Sequence, residues 1–183
     1  MSIIPLEYRN KAKSKAEEIL AEYHDSHPLK SPIPIQDVIE EYLGDVQFVT
    51  TMDPIFLEGV SAFAKKDMEM GWVVAINDME CLERQRFSSA HELGHIVLIP
   101  PGQKETVYCS TDKSTWIERV CDLFAGHILM PENFVRAYCR EYPSAFLEDI
   151  AKAFKVSRQV AEIQLRILGL SVRSKVGGAV INF

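Results

Sequence analysis

His91-Glu92-Leu93-Gly94-His95 is the stretch on which the reading of this chain turns. The two histidines are four residues apart, so on an α-helix they project from one face, a turn apart, and their imidazoles can share a metal ion. Glu92 lies beside the first histidine, where it can reach a metal-bound water rather than the metal. Zinc lowers the pKa of such a water to roughly 7, and the carboxylate can take its proton as it attacks a carbonyl. A surface helix carrying two incidental histidines would show the same five letters, so the flanking sequence has to decide.

Upstream, Trp72-Val73-Val74-Ala75-Ile76-Asn77 is a β-branched, mostly apolar run that reads as a strand. The motif helix is expected after it, with Ser88 and Ser89 near its start, continuing apolar through Leu93, Ile96, Val97, Leu98 and Ile99. Pro100-Pro101-Gly102 should end it, because the first proline biases Ile99 away from helical geometry and neither proline supplies a backbone donor. An apolar helix is what a zinc site needs around it to keep the local dielectric low.

Downstream, Glu118-Arg119-Val120-Cys121-Asp122 opens a segment that reads as helix through Leu129. Glu118 and Asp122 are four apart and share a face. Glu118 can complete a set of two histidines and one carboxylate, leaving the fourth position open as a catalytic zinc requires. Asp122, one turn on, can accept a hydrogen bond from the non-ligating nitrogen of a zinc-bound histidine and fix its tautomer. Taken alone, the pair would be an ordinary solvated acid pair on an amphipathic helix; the histidine motif changes that.

These residues resemble the ImmA/IrrE-type zinc metallopeptidases, small cytoplasmic bacterial proteases linked to mobile elements and stress responses. The likeness lies in Arg86-Phe87-Ser88-Ser89-Ala90-His91-Glu92-Leu93-Gly94-His95 and in Glu118 through Pro131, and covers roughly residues 70–135. It implies a zincin-like fold, His91, His95 and Glu118 as zinc ligands, and Glu92 as catalytic base. It also implies a cytoplasmic protein substrate, most plainly a helix-turn-helix transcriptional repressor. Cys121 stands where alanine is usual, Asp122 where asparagine is common, and Gly126-His127 replaces a small-acidic pair. None of these departures removes a ligand.

His127 follows Glu118 by nine residues, about 180° around a helix at roughly 100° per residue, and is expected to face away from the metal. His24 and His27 precede Pro28 and read as exposed linker residues. With 183 residues, 47% of them hydrophobic, the chain can build a core, and no apolar run is long enough for a membrane span. Met1-Ser2-Ile3-Ile4-Pro5 lacks the basic-then-apolar pattern of a secretion signal. Cys81, Cys109, Cys121 and Cys139 show no Cys-x-x-Cys spacing and read as reduced thiols, Cys121 as core packing. A cytoplasmic setting is expected.

Residues 7–24 carry Tyr8, Ala12, Ala16, Ile19 and Tyr23 at helical spacing, and Ile35 to Leu43 is a short second helix ended by Gly44. Asp45–Met52, Gly59–Ala64 and Gly71–Ile76 read as three strands, the last two as a hairpin around Lys65-Lys66-Asp67. A small sheet beside a metal-bearing helix is an α+β arrangement. In zinc peptidases the edge strand of such a sheet commonly holds substrate in extended form; which strand is the edge is open at this level.

The division expected is a metallopeptidase domain over 1–143 and a helical region over 144–183. Ala145–Phe154 and Ser157–Leu168 resemble a helix-turn-helix with Ser157 as N-cap, although Lys155 takes the place of the usual turn glycine. This tail has six basic and three acidic residues; the whole chain has 20 and 26, which leaves 14 and 23 for residues 1–143. Direct DNA binding is not expected, because three excess charges are thin for phosphate contacts and the acidic body repels a duplex. Docking a protein, or simple packing, remains for the tail. A regulatory or antitoxin-like binding protein with a structural or vestigial metal site is the alternative function, and a retained Glu92 argues against it, since a structural zinc has no use for a base.

Overall fold

The computed structural model describes residues 4–51, 60–99, 106–108, 116–175 and 180–181. Its architecture is α+β. In chain order the described elements are α1 (Leu6–Ser26), α2 (Ile35–Leu43), β1 (Val46–Thr51), β2 (Ala62–Asp67), β3 (Gly71–Asn77) and α3 (Leu82–Leu98). They continue with β4 (Thr106–Tyr108), α4 (Trp116–Leu129), α5 (Glu132–Glu141), α6 (Leu147–Phe154), α7 (Arg158–Ile167), β5 (Val172–Arg173) and β6 (Val180–Ile181).

The main sheet runs β1-β3-β2-β4, with β1 parallel to β3 and the other neighbours antiparallel. It has four described strands rather than three, and β1 and β4 are its edges. The fourth, only three residues long, is too short to show a period in sequence. The β2–β3 hairpin turns at Met68-Glu69-Met70 rather than at Lys65-Lys66-Asp67, which belong to β2. Asp67 makes this turn: its Oδ1 accepts from the amides of Glu69 and Met70. Gly71 follows at φ +72°, where a Cβ would also strike the Asp45 carbonyl.

α3 is the partition of the molecule. Ala90, Leu93 and Leu98 enter a large helical core with Ile19 of α1, Ile39 of α2 and Phe124 of α4. Ile96 packs instead against a smaller cluster on the sheet, made by Ala62, Ala64, Val74 and Ile76. The helix starts at Leu82, before the Ser88-Ser89 pair expected near its start, and those serines are buried within it. Arg84 and Gln85 fasten this first turn, donating to Ser61 and to the Glu80 carbonyl. At the far end Ile99 is extended, at φ −92° and ψ 127°, the geometry a following proline favours; Pro100-Pro101-Gly102 lie outside the described residues.

Residues 144–183 share the helical core with the rest of the chain, through Leu147, Ile150, Phe154, Ala161 and Leu165. Arg86 strengthens the join, donating to the carbonyls of Ile33 and Lys155 and so tying α3 to the segments before α2 and between α6 and α7. Several basic groups of this region are engaged internally: Arg158 with Glu148 and Glu162, Arg166 with Glu162, and Lys175 with Asp149. The sequence after Ser174, including Gly177-Gly178, is described only at Lys175 and in β6. No helix among the described residues is long and apolar enough to cross a membrane.

Candidate metal centre

α3 sets His91 and His95 one turn apart on the face that meets α4. Close approach of the two helices depends on Gly94, where an added Cβ would lie 3.1 Å from the Phe124 ring and 3.3 Å from the Cys121 Cα. α4 brings Glu118 in its first turn and Asp122 one turn later. His91 Nε2 is 3.0 Å from His95 Nε2 and 3.1 Å from Glu118 Oε2, and His95 Nε2 is 3.3 Å from Glu118 Oε1. All three side chains are buried. Two ligands held about 2.0–2.1 Å from a tetrahedral zinc stand about 3.3 Å apart, so this triangle of donors suits such an ion. Two imidazoles and a carboxylate are also the donor set of catalytic rather than structural zinc.

The charge state of the group suits a cation. Burial raises the Glu118 carboxyl, but the imidazoles of His91 and His95 hydrogen-bonded to it outweigh that and hold it at about 2. Asp122 Oδ1 lies 2.9 Å from His91 Nδ1, and its side chain is 47% exposed. A hydrogen on Nδ1 leaves Nε2 with its lone pair toward His95 and Glu118. Glu92 is wholly buried, one residue from His91. The structure thus brings together His91, His95, Glu118 and Asp122, with Glu92 adjacent.

The other histidines stand apart. His127 is buried on a different side of α4, where Gln164 Nε2 donates to its Nδ1 at 3.1 Å. Burial, with Lys13 as a lesser cause, lowers its pKa to about 4, so it is neutral. His24 lies in the last turn of α1 and His27 just beyond it, both exposed. Cys121 is buried beneath Gly94; Cys109 lies outside the described residues. Two polar contributors were not singled out from the sequence: Arg86 stands in the quoted motif without a role of its own, and Gln164 reads as an ordinary surface residue of an amphipathic helix. Gln164 nevertheless fills the space left by Gly126, whose added Cβ would lie 3.1 Å from its Oε1.

Comparison with known proteins bears on this arrangement. A family model described as the IrrE N-terminal-like domain of a peptidase family matches residues 54–166. The radiation response metalloprotease IrrE of Deinococcus radiodurans is 30% identical over a stretch covering 57% of this chain and 37% of that protein. Among solved structures, a Mycobacterium tuberculosis transcriptional regulator superposes with a TM-score of 0.56 at 14% identity, over 88% of this chain and 47% of that one. At that identity the likeness shows the fold alone. The chain spans less than half the length of either relative.

Proposed function

The chain belongs to the IrrE N-terminal-like peptidase family, and from that premise we propose that it is a zinc-dependent endopeptidase acting on a specific cytoplasmic protein. The observation that carries the reading is the triangle of His91, His95 and Glu118 donors, 3.0–3.3 Å apart and buried, beside the wholly buried carboxylate of Glu92. His91, His95 and Glu118 would hold the ion, and zinc there would supply a Lewis acid and an acidified water. Glu92 is the proton acceptor for the attacking water and returns the proton to the leaving amine. Asp122 holds His91 in the tautomer that presents Nε2 to the site. Burial of His91, His95, Glu118 and Glu92 lowers the local dielectric, so their charges act on one another more strongly than in water.

As substrate we favour a helix-turn-helix repressor, on the strength of the family resemblance. The test uses the purified protein, any helix-turn-helix protein encoded beside its gene as candidate substrate, and elemental analysis. About one zinc per chain is expected, lost on His91→Ala or His95→Ala, together with cleavage of the repressor. Glu92→Gln keeps the shape but cannot take the proton; it should retain zinc and lose turnover by about 10²–10⁴-fold. Full zinc retention in both histidine variants, or undiminished cleavage by Glu92→Gln, would overturn the assignment.

A further inference from the structure

On the flank of the metal centre, α7 leaves an apolar stripe uncovered. Val160, Ile163 and Ile167 follow one another at helical spacing, and Ile163 and Ile167 are 43% and 44% exposed. The opposite face of α7 is already satisfied, with Ala161 and Leu165 fully buried in the core. Phe87 of α3 and Leu123 of α4 line the same groove, which encloses about 620 Å³. That is the size range of ligand-binding clefts. Isolated exposed isoleucines are ordinary, but several lining one concavity are the usual mark of an interaction surface.

Two features say what would fill it. First, the groove adjoins the metal centre, since Asp122 lies in its wall and contacts His91. Second, its polar rim is one-sided. Among the described lining residues Glu80, Glu83 and Asp122 stand with Arg84; Arg84 is engaged by Glu80 and Ser61, Glu83 acts on Arg86 of α3, and Asp122 contacts His91. The described lining therefore carries more acid than base beside an apolar floor. A second copy of this chain, with net charge −6, is a poor electrostatic match for that rim, and so is a nucleic acid duplex.

We propose that this groove docks a segment of the protein substrate away from the scissile bond, one that presents large aliphatic side chains next to lysine or arginine. The proposal rests on the peptidase reading for the nature of its occupant. It gives α7 a role that its packing does not use. Binding energy gathered here would orient the chain at the metal centre and select one protein from many.

The test reads binding without catalysis. The zinc-loaded full chain carrying Glu92→Gln is titrated into two fluorescein-labelled amphipathic helical peptides of equal apolar content, one of leucine and lysine and one of leucine and glutamate. Anisotropy should show the leucine–lysine peptide binding at least about tenfold more tightly, as expected where opposite charges meet at a rim. Adding Ile163→Ser with Ile167→Ser, both exposed and so tolerable to the fold, should weaken that binding by about tenfold while leaving the charges in place. Cys81 is exposed in the groove wall, and bound peptide should slow its alkylation relative to that of Cys139. Equal binding of the two peptides, no effect of the serine pair, or no protection of Cys81 would overturn the proposal. A dimer in sedimentation that the serine pair dissociates would overturn it too, in favour of a second copy. Zinc content and cleavage by the parent protein are measured separately. Intact cleavage with failed docking removes only the groove, and docking without zinc or cleavage removes only the peptidase reading.

Discussion

Asp122 Oδ1 lies 2.9 Å from His91 Nδ1, and in the proposed site this contact would set which nitrogen His91 offers to an ion. Removing such an outer partner typically lowers metal affinity about 10–100-fold. Asp122→Ala should fall toward the lower end, because the carboxylate is half-exposed and water can replace it, whereas Asp122→Asn keeps an acceptor and should lose less. Competition with a chelator measures both, and equal affinity in all three proteins would mean the contact is incidental. His127 makes a different prediction at this scale. Its pKa is lowered from 6.5 to about 4 by burial, so between those values the unfolded chain takes up a proton that the folded chain refuses. Stability should therefore be complete above about pH 6.5 and fall as the pH drops toward 4, by up to about 3 kcal/mol. Denaturant midpoints of chelator-treated protein at several pH values would show this slope, and His127→Gln should flatten it. Its orientation away from the metal was legible from helical angle alone. Its partner, Gln164, was not, because the pair is separated by 37 residues and meets only through packing.

The junction of α6 and α7 shows what local sequence can and cannot dictate within an element. Ser157 caps α7, its Oγ accepting from the Val160 amide at 3.2 Å, as a serine before an apolar-periodic run leads one to expect. Lys155, two residues earlier, ends α6 in the left-handed region at φ +49°, with the amides of Lys155 and Val156 returning to the last turn. That conformation costs a residue bearing a Cβ about 1 kcal/mol. Opposite shifts should follow two residues apart: Lys155→Gly stabilises by about 0.5–1 kcal/mol and Ser157→Ala destabilises by about 1 kcal/mol. Thermal denaturation of the two variants checks the signs, and a destabilised Lys155→Gly would mean the lysine side chain holds something more. A turn glycine is thus dispensable here because the core on both sides, including Ile150, Phe154 and Leu165, fixes the angle between the helices. α5 was not among the elements expected from the sequence, although Phe134, Val135, Tyr138 and Cys139 recur at helical spacing and pack on the core.

At the scale of the whole molecule, the boundary between 1–143 and 144–183 is crossed by one continuous core. Truncation after Pro143 would strip away Leu147, Ile150, Phe154 and Leu165, each worth about 1.5–3 kcal/mol of burial, which approaches the entire stability of a domain. The truncated chain should be expanded and lose near-ultraviolet circular dichroism and metal together. A folded, metal-loaded fragment would show that the shared core is not needed. By itself the sequence determined what depends on neighbours within a few turns. Helical spacing put His91 with His95 and Glu118 with Asp122; three segments read as strands, the one at Trp72–Asn77 from its β-branched apolar run, and Gly44 ended α2. Tertiary structure alone decided how those pieces meet. It brought Glu118 within 3.1 Å of His91 across 27 residues, set β1 parallel to β3, and left Ile163 and Ile167 lining a groove beside the centre. The physical reason is that residue spacing fixes direction around one helix or strand. The distance between two helices is fixed by what lies between them, and at Gly94 that is the absence of a side chain.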